Sequence, residues 1–303
     1  MAGSGMLLFL LGAAAGSFLN VLSMRYEPER RIFSAGGKPA SGWDFGGRSR
    51  CPHCKKTLQW FELIPLISFI LQKGRCRSCG AKLSFQYPFV ETLCGLIFVF
   101  LPSAVNDAYR LSFYRAAGAM PFWSYLLSAF FLLAVLTLIL ISIIDSRLTI
   151  IPDQSNILIA FLAIIIIFIE SGYGLFDEQA GSFLGHYAIL LGLRHNVWIN
   201  HLFAAFFGLA SFGLIVILSR GRGMGLGDVK LAGALGLLLG WPDILLTILL
   251  AFITGAIWSI ILMARGKKGF KSTVPFGPFI GLGSTLVMLF GKQIVLGYFL
   301  LFP

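Results

Sequence analysis

Long apolar segments restrict the fold of this chain more than any other feature of its sequence. Of its 303 residues, 57% are hydrophobic and only 12% are charged, whereas a soluble domain carries about 25% charged residues. A helix needs about 20 apolar residues to cross the hydrocarbon core of a bilayer. The sequence therefore predicts an all-α polytopic membrane protein with about eight transmembrane helices, of which the sixth is short and either re-entrant or tilted. The segments lie near residues 5–24, 86–105, 123–144, 154–170, 199–219, 229–240, 244–264 and 276–300.

The first apolar segment is predicted to remain in the protein as a transmembrane helix, although alanines occupy positions 13–15. Its first twenty residues contain no Lys or Arg, and a secretory signal peptide requires a positively charged n-region.

The net charge of +11 is explained by membrane topology. With the N-terminus placed outside, four segments face the cytoplasm and hold 20 of the 24 Lys and Arg residues, as the positive-inside rule requires. No basic-aromatic groove or known nucleic-acid-binding module accompanies this charge, so we expect contact with anionic lipid and no nucleic-acid partner. The cytoplasmic segments are 25–85, 145–153, 220–230 and 265–275.

Four cysteines in the predicted cytoplasmic segment 25–85 form two Cys-x-x-Cys pairs, Cys51 with Cys54 and Cys76 with Cys79. This spacing is typical of a tetrahedral four-thiolate zinc site, and disulfides rarely persist in the cytoplasm. Because a small polar segment has little core of its own, we expect a structural Zn²⁺. Four free or redox-active thiols are the alternative interpretation.

The remaining cysteine and the histidines are assigned ordinary roles. Cys94 lies within the second apolar segment and is predicted to be buried, and His53 is interpreted as part of its knuckle rather than as a ligand. His186, His195 and His201 fall on the outer side, where we predict loop or interface residues.

Two aspartates lie at the predicted cytoplasmic surface, and a pair of acids at one depth indicates aspartyl proteolysis. Asp145 ends a long apolar run, where the helix dipole disfavours a negative charge; a solvated loop acid is the alternative. Asp228 follows alternating glycines, which we expect to admit another backbone; an N-cap is the alternative. Lys230 either lowers the pKa of a nearby acid or faces lipid headgroups.

Three further polar residues and one segment have weaker signals. Asp153, after Pro152, is predicted to cap the fourth helix. Asn20 and Glu91 lie within apolar helices and serve either a structural hydrogen bond or substrate contact. The outer stretch 171–198 has no clear periodicity and is interpreted as a loop insert.

An ordered set of motifs runs nearly from end to end, and through it the chain resembles prepilin peptidases, the bifunctional type IV leader peptidases of bacteria. The motifs are Gly-Ser-Phe-Leu-Asn-Val at 16–21, the paired cysteines, Trp-Phe-Glu-Leu-Ile-Pro at 60–65, Gly-Arg-Cys at 74–76, Tyr-Pro-Phe-Val-Glu at 87–91, Asp145, Pro-Asp at 152–153, Gly-Leu-Gly-Asp-Val-Lys at 225–230 and Pro-Phe-Gly-Pro at 275–278.

The resemblance implies an inner-membrane aspartic peptidase that removes a short basic leader from type IV prepilins or type II secretion pseudopilins. Asp145 and Asp228 match the catalytic positions, supported by the motif residues Gly225, Gly227 and Lys230. The cysteine segment in such proteins accompanies N-methylation of the new terminus from S-adenosylmethionine. The residues that the resemblance ties to this second activity are Glu62, Gly74 and Arg75.

The resulting division is a first transmembrane helix (1–24), a cytoplasmic four-cysteine zinc module (25–85) and a transmembrane aspartic peptidase domain (86–303). The expected location is the bacterial inner membrane, with a periplasmic N-terminus and an active site facing the cytoplasm. Two other classes are a cation transporter, which predicts acids near the midplane and inverted repeats, and a non-catalytic zinc scaffold, which needs no paired aspartates.

Overall fold

The computed structural model is helical throughout the part of the chain that it describes. No β-strand occurs within the described residues, although isolated bridges join Arg50 to Thr57 and Arg75 to Lys82. The described residues are 2–27, 48–51, 53–111, 122–176, 180–193, 195–221, 223–266 and 274–301.

Each of the eight predicted apolar segments coincides with one helix, which confirms the all-α class. The described residues form nine α-helices and two 3₁₀ helices, the latter at Trp60–Leu63 and Gly185–Leu191. The α-helices are α1 (Ala2–Arg25), α2 (Ile67–Leu71), α3 (Gln86–Ala108), α4 (Phe122–Leu148), α5 (Asp153–Tyr173), α6 (Val197–Leu218), α7 (Leu226–Leu239), α8 (Asp243–Ala264) and α9 (Gly277–Leu301).

Seven of these helices, α1, α3–α6, α8 and α9, are long and apolar enough to cross a membrane. Helix α7 has 14 residues and is therefore about 21 Å long, which is shorter than the roughly 30 Å of a bilayer core. The segment 229–240, which the sequence predicted to be unusually short, therefore forms a helix that is too short to cross the bilayer by itself.

The chain divides into two compact units, Met1–Phe100 and Leu101–Pro303. Within the first unit, α1 and the beginning of α3 touch through glycines. A Cβ on Gly12 would lie 2.5 Å from the carbonyl oxygen of Cys94, and one on Gly16 would lie 2.9 Å from Cα of Glu91. Only small residues allow helix backbones this close. Cys94 is fully buried at this contact, as predicted.

Within the second unit, α7 packs most extensively against α6 and then against α5. A Cβ on Gly208 of α6 would overlap the carbonyl oxygen of Ala232, and one on Gly236 of α7 would overlap that of Ala204. The two backbones are therefore in contact, and most residues of α7 are buried. This packing fixes the helix that begins at the Gly-x-Gly-Asp motif.

The predicted loop insert 171–198 is in part a buried element, which its sequence did not reveal. Helix α5 continues to Tyr173, and the 3₁₀ helix Gly185–Leu191 follows. Phe183 is buried and its ring meets that of Phe131 edge-on at 5.3 Å. Positions 177–179 and 194 of the stretch lie outside the described residues.

Candidate active site

Asp145 lies in the last turn of α4, where it is only 5% exposed. The helix continues to Leu148, so Asp145 does not follow the helix as the sequence suggested. The backbone N–H of Gly277, at the start of α9, donates a hydrogen bond of 2.9 Å to Oδ2 of Asp145. A buried, hydrogen-bonded carboxylate excludes the alternative of a solvated loop acid.

Gly277 is a site residue whose role the sequence did not show. A Cβ at this position would lie 2.8 Å from Oδ2 of Asp145, so any other residue would push the carboxylate away from the N–H that binds it. The one sequence signal for this position was the Pro-Phe-Gly-Pro motif at 275–278. Its glycine allows α9 to begin in contact with Asp145.

Asp228 lies in the first turn of α7 and is 9% exposed. Gly225 occupies the N-cap position, and its N–H donates a hydrogen bond of 3.3 Å to Oδ2 of Asp228. The N-cap interpretation of Asp228 is therefore wrong, because the residue lies three positions inside the helix and reaches back to its start. Its buried Oδ1 forms no hydrogen bond with any described residue.

Contrary to our expectation, the glycines before Asp228 do not admit a second backbone. A Cβ on Gly227 would lie 3.1 Å from Cβ of Ile151, so a side chain packs there. A Cβ on Gly225 would meet nothing closer than Oδ2 of Asp228 at 3.7 Å, an ordinary contact. A side chain at position 227 would therefore be crowded by Ile151, whereas position 225 has room for a side chain.

The charge of Asp145 acts on Asp228 in the structure. Burial, and next the charge of Asp145, raise the pKa of Asp228 to about 6. Two carboxyl groups that interact in this way titrate as a pair. The state in which they share one proton is more stable than the state in which both are charged. Such a pair can supply a general acid and a general base at the same pH.

Asp153 forms an ion pair instead of the predicted cap. Pro152 occupies the N-cap position of α5, and Asp153 is the first helical residue. Its carboxylate accepts hydrogen bonds of 2.9 and 3.0 Å from Nζ of Lys230. Both side chains are more than half exposed, so the pair contributes less than about 1 kcal/mol to folding. Lys230 therefore forms its ion pair with Asp153 and not with Asp145 or Asp228.

The four cysteines of the two Cys-x-x-Cys pairs meet at one point in the first unit. Their sulfur atoms all lie within 4.8 Å of one another, and Sγ of Cys51 is 4.0 Å from Sγ of Cys79. A tetrahedron of thiolates at about 2.3 Å from zinc has sulfur–sulfur distances of about 3.8 Å. All four are free thiols, and the cluster can hold a metal ion.

The two cysteine pairs share one backbone geometry, a correspondence that the sequence did not reveal. The N–H of Cys51 donates to the carbonyl of Lys56, and that of Cys76 donates to the carbonyl of Ala81. The residue four positions after each first cysteine is left-handed, with φ of 58° at Lys55 and 69° at Gly80. Two matched knuckles present their sulfurs to a common centre.

The residues tied by resemblance to methylation lie near this cluster in sequence and have distinct local roles. Oε2 of Glu62 accepts a hydrogen bond of 2.8 Å from the N–H of Gln59, at the start of the short 3₁₀ helix. Gly74 is left-handed, with φ of 66°. Arg75 forms the backbone bridge to Lys82 that supports the second knuckle.

Glu91 and Asn20 make structural hydrogen bonds in the first unit. Oε2 of Glu91 accepts from the N–H of Leu66 at 2.8 Å. The side-chain amide of Asn20 donates to the carbonyl of Tyr87 at 3.3 Å. These contacts favour the structural interpretation of both residues over substrate contact.

A buried polar cluster in the second unit was missed, and the prediction for His201 was wrong. His201 is 1% exposed, and its Nδ1 lies 2.8 Å from the carbonyl oxygen of Leu237, in the last turn of α7. Its Nε2 lies 3.1 Å from Oε2 of Glu170, and the hydroxyl of Tyr109 donates to the same carboxyl group. The one sequence signal was Glu170 itself, an acid inside an apolar helix.

A second buried acid, Asp243, binds the insert that precedes α6. Its Oδ1 accepts a hydrogen bond of 3.0 Å from the hydroxyl of Ser182 and one of 3.2 Å from the N–H of Leu184. Asn200 donates to the carbonyl oxygen of Trp241 and accepts from its N–H, both at 2.9 Å. These contacts hold the ends of α6, α7 and α8 together on the side away from Asp228.

Two family models match the chain. The model described as the bacterial peptidase A24 N-terminal domain matches residues 10–105, which include the cysteine cluster. The model described as the type IV leader peptidase family matches residues 131–260, which include both buried aspartates.

Curated relatives match the chain over nearly its whole length. A prepilin leader peptidase/N-methyltransferase of Stutzerimonas stutzeri is 30% identical over 300 residues, covering 95% of this chain and 91% of the relative. Proteins of the same description are 29% identical in Pseudomonas aeruginosa, with the same two coverages, and 27% identical in Bacillus subtilis, covering 96% of each chain. No solved structure gives a significant match.

Proposed function

Since the chain belongs to the type IV leader peptidase family, we propose that it is a membrane aspartic endopeptidase that removes the short basic leader from type IV prepilins or type II secretion pseudopilins. The observation that supports this most directly is the pair of buried acids, Asp145 and Asp228, which interact electrostatically. Both fall within the match to the family model.

The proposed reaction uses the two acids in opposite protonation states. The ionised carboxylate takes a proton from water, whose oxygen attacks the scissile carbonyl carbon, while the protonated acid donates to the carbonyl oxygen. Collapse of the tetrahedral intermediate breaks the C–N bond, and the leaving nitrogen takes up a proton. The N–H groups of Gly277 and Gly225 each hold one oxygen of an acid, which leaves the other oxygen for chemistry.

We place this activity in a multi-pass protein of the bacterial inner membrane, with the N-terminus periplasmic and the acids facing the cytoplasm. Seven helices long and apolar enough to span support the membrane location. The concentration of 20 of 24 Lys and Arg residues in segments 25–85, 145–153, 220–230 and 265–275 supports the orientation.

The second proposed activity is N-methylation of the new N-terminus from S-adenosylmethionine. The name of the relatives couples the two activities. The model for the type IV leader peptidase family leaves residues 1–130 unmatched, and the separate N-terminal model matches residues 10–105. We therefore retain the division into a first transmembrane helix (1–24), a cysteine module associated with methylation (25–85) and a peptidase domain (86–303).

Mass spectrometry of one substrate tests both activities. The purified protein in detergent is incubated with S-adenosylmethionine and a test peptide. The peptide carries a basic leader, an apolar segment and, between them, a Gly-Phe junction, which is the cleavage point that the resemblance to prepilin peptidases implies. We expect loss of the leader at the junction and then addition of one methyl group to the new amine. An intact peptide, or cleavage elsewhere, would contradict the proposed peptidase function.

The metal is proposed to be a structural Zn²⁺ held by Cys51, Cys54, Cys76 and Cys79, because four clustered thiolates leave no position open for a reacting water. Elemental analysis should find one zinc per chain, and the Cys51→Ser/Cys54→Ser variant should lose it. Cys94→Ser, at a buried cysteine outside the cluster, is the matched control and should keep the metal. Protein purified without chelators that contains no metal, or that carries a Cys51–Cys79 disulfide in the cell, would overturn the assignment.

A further inference from the structure

The cysteine module exposes large apolar side chains that adjoin one another. Ile67, Ile70 and Leu71 lie at positions i, i+3 and i+4 of α2, so they share one face of that helix. All three are exposed, Ile70 by 71% and Leu71 by 78%. Leu71 lines a shallow depression together with Phe61, and the ring of Trp60, which is 75% exposed, meets that of Phe61 at 5.8 Å. We call these five residues the apolar surface.

Contacts with α3 place α2 beside a membrane helix. The N–H of Leu66, the N-cap of α2, donates a hydrogen bond of 2.8 Å to Oε2 of Glu91. Glu91 lies five residues after the start of α3 at Gln86, which is about 8 Å along the helix axis. The ring of Phe69 meets that of Phe85, the residue before α3, with centroids 6.4 Å apart. Because α3 is long and apolar enough to cross a membrane, α2 lies beside the end of a transmembrane helix.

Helix α1 reaches the same level from the other end of the module. This helix is also long and apolar enough to cross a membrane, and it ends at Arg25. The hydroxyl of Tyr87 donates to Sδ of Met24 at 3.0 Å, and the side-chain amide of Asn20 donates to the carbonyl of Tyr87 at 3.3 Å. Both ends of the module therefore meet where two membrane helices end, which brings the apolar surface within reach of the lipid.

Basic side chains adjoin the apolar surface. Residues 48–85 include eight Lys and Arg residues and a single acid, Glu62. Arg75 and Arg77 line the same depression as Leu71, Lys73 follows α2 closely in the chain, and all three cations are exposed. An apolar face bordered by basic residues is typical of segments that lie in a membrane interface, and anionic lipid headgroups supply the matching charge.

We propose that the apolar surface docks on the lipid bilayer, with Trp60, Ile70 and Leu71 among the headgroups and the nearby cations on anionic phosphates. Interfacial segments bury their apolar face about 5–10 Å into the boundary between headgroups and acyl chains, and tryptophan is enriched at this depth. The four-cysteine cluster is then held against the membrane surface instead of extending into the aqueous phase. This surface is separate from Asp145 and Asp228 and does not depend on the proposed peptidase chemistry.

Tryptophan fluorescence of the full-length protein in lipid nanodiscs tests the docking. The nanodiscs contain phosphatidylethanolamine and phosphatidylglycerol, with or without bromine on the acyl chains, and the wild-type emission minus that of Trp60→Phe isolates Trp60. This signal should lose more than about half its intensity in brominated lipid, given an insertion depth of about 5–10 Å. Trp258 is exposed on α8 and Trp123 is buried. The corresponding Trp258→Phe and Trp123→Phe differences therefore give the strongly and the weakly quenched controls.

Ile70→Glu/Leu71→Glu should release the apolar surface from lipid. Both side chains are exposed, so the fold and the metal content of the cysteine cluster should be retained. In this background the Trp60 signal should be quenched less by brominated lipid and more by acrylamide in the water. Replacing phosphatidylglycerol with phosphatidylcholine should also weaken the quenching of wild-type Trp60 by lipid, and unchanged quenching would overturn the role given to the cations.

Two results for the wild type would overturn the docking itself. Quenching of Trp60 by acrylamide but not by brominated lipid would show that the apolar surface faces water. Protection of Trp60 from both quenchers would show that protein covers this surface, either another part of the chain or a second copy.

Discussion

Replacing either Asp145 or Asp228 by Asn is expected to lower the rate of leader cleavage at least about a thousandfold, because one carboxylate cannot supply both the general acid and the general base. Asparagine keeps the size of the side chain and an oxygen for the N–H of Gly277 or Gly225. The fold should therefore survive. Initial rates measured by mass spectrometry, together with thermal denaturation of each variant, separate lost chemistry from lost structure.

Asp153→Asn is the matched control, since it removes an acid of the same surface that pairs with Lys230. The ion pair is exposed and contributes less than about 1 kcal/mol, so cleavage should fall by less than about fivefold. Near-normal cleavage by Asp145→Asn would contradict the assignment of the pair. Complete loss in Asp153→Asn would point to that residue instead.

The helices and the cysteine cluster were predictable because their signals are local. A run of about 20 apolar residues is the usual signal of a transmembrane helix. The helices α1, α3–α6, α8 and α9 lie where such runs occur. The spacing of the cysteines likewise restricts them to one centre. The short segment at 229–240 was recognised as unusual for the same reason, namely its length.

The hydrogen-bond partners of the buried acids were not predictable, because they lie far away in the sequence. Asp145 is bound by Gly277, which is 132 positions further on. The pairing of Asp153 with Lys230 spans 77 positions, and local rules assigned Asp153 to a cap that Pro152 occupies. A capping pattern reports only what a residue does in isolation, whereas tertiary contacts decided the outcome here.

The contacts of His201, which lies in α6 beside the last turn of α7, were equally unpredictable from the sequence. The positive-inside pattern placed it on the outer side, where we predicted a loop or interface residue. The structure instead buries it between Glu170 and the carbonyl of Leu237. The last carbonyls of a helix lack intrahelical partners, so the imidazole satisfies one of them at the end of the helix that carries Asp228 at its start.

His201→Ala is expected to destabilise the protein by about 3–5 kcal/mol, the usual cost of removing one partner from a buried pair. The carbonyl of Leu237 can only accept a hydrogen bond, so Nδ1 of His201 donates to it, and Nε2 faces the carboxyl group of Glu170. The variant therefore leaves a buried carboxyl group and a helix-terminal carbonyl without the imidazole. Denaturation of the purified protein in detergent micelles, followed by helical circular dichroism, measures the loss.

His195→Ala is the matched control, because His195 is exposed in the segment just before α6, and its stability should change by less than about 0.5 kcal/mol. Adding Glu170→Gln to His201→Ala should recover part of the loss, since the amide needs no counter-charge and can still bind the hydroxyl of Tyr109. Equal stability of His201→Ala and the wild type would show that the pair contributes nothing to the fold. A loss that Glu170→Gln does not reduce would show instead that the contact with Leu237, and not the one with Glu170, carries the effect.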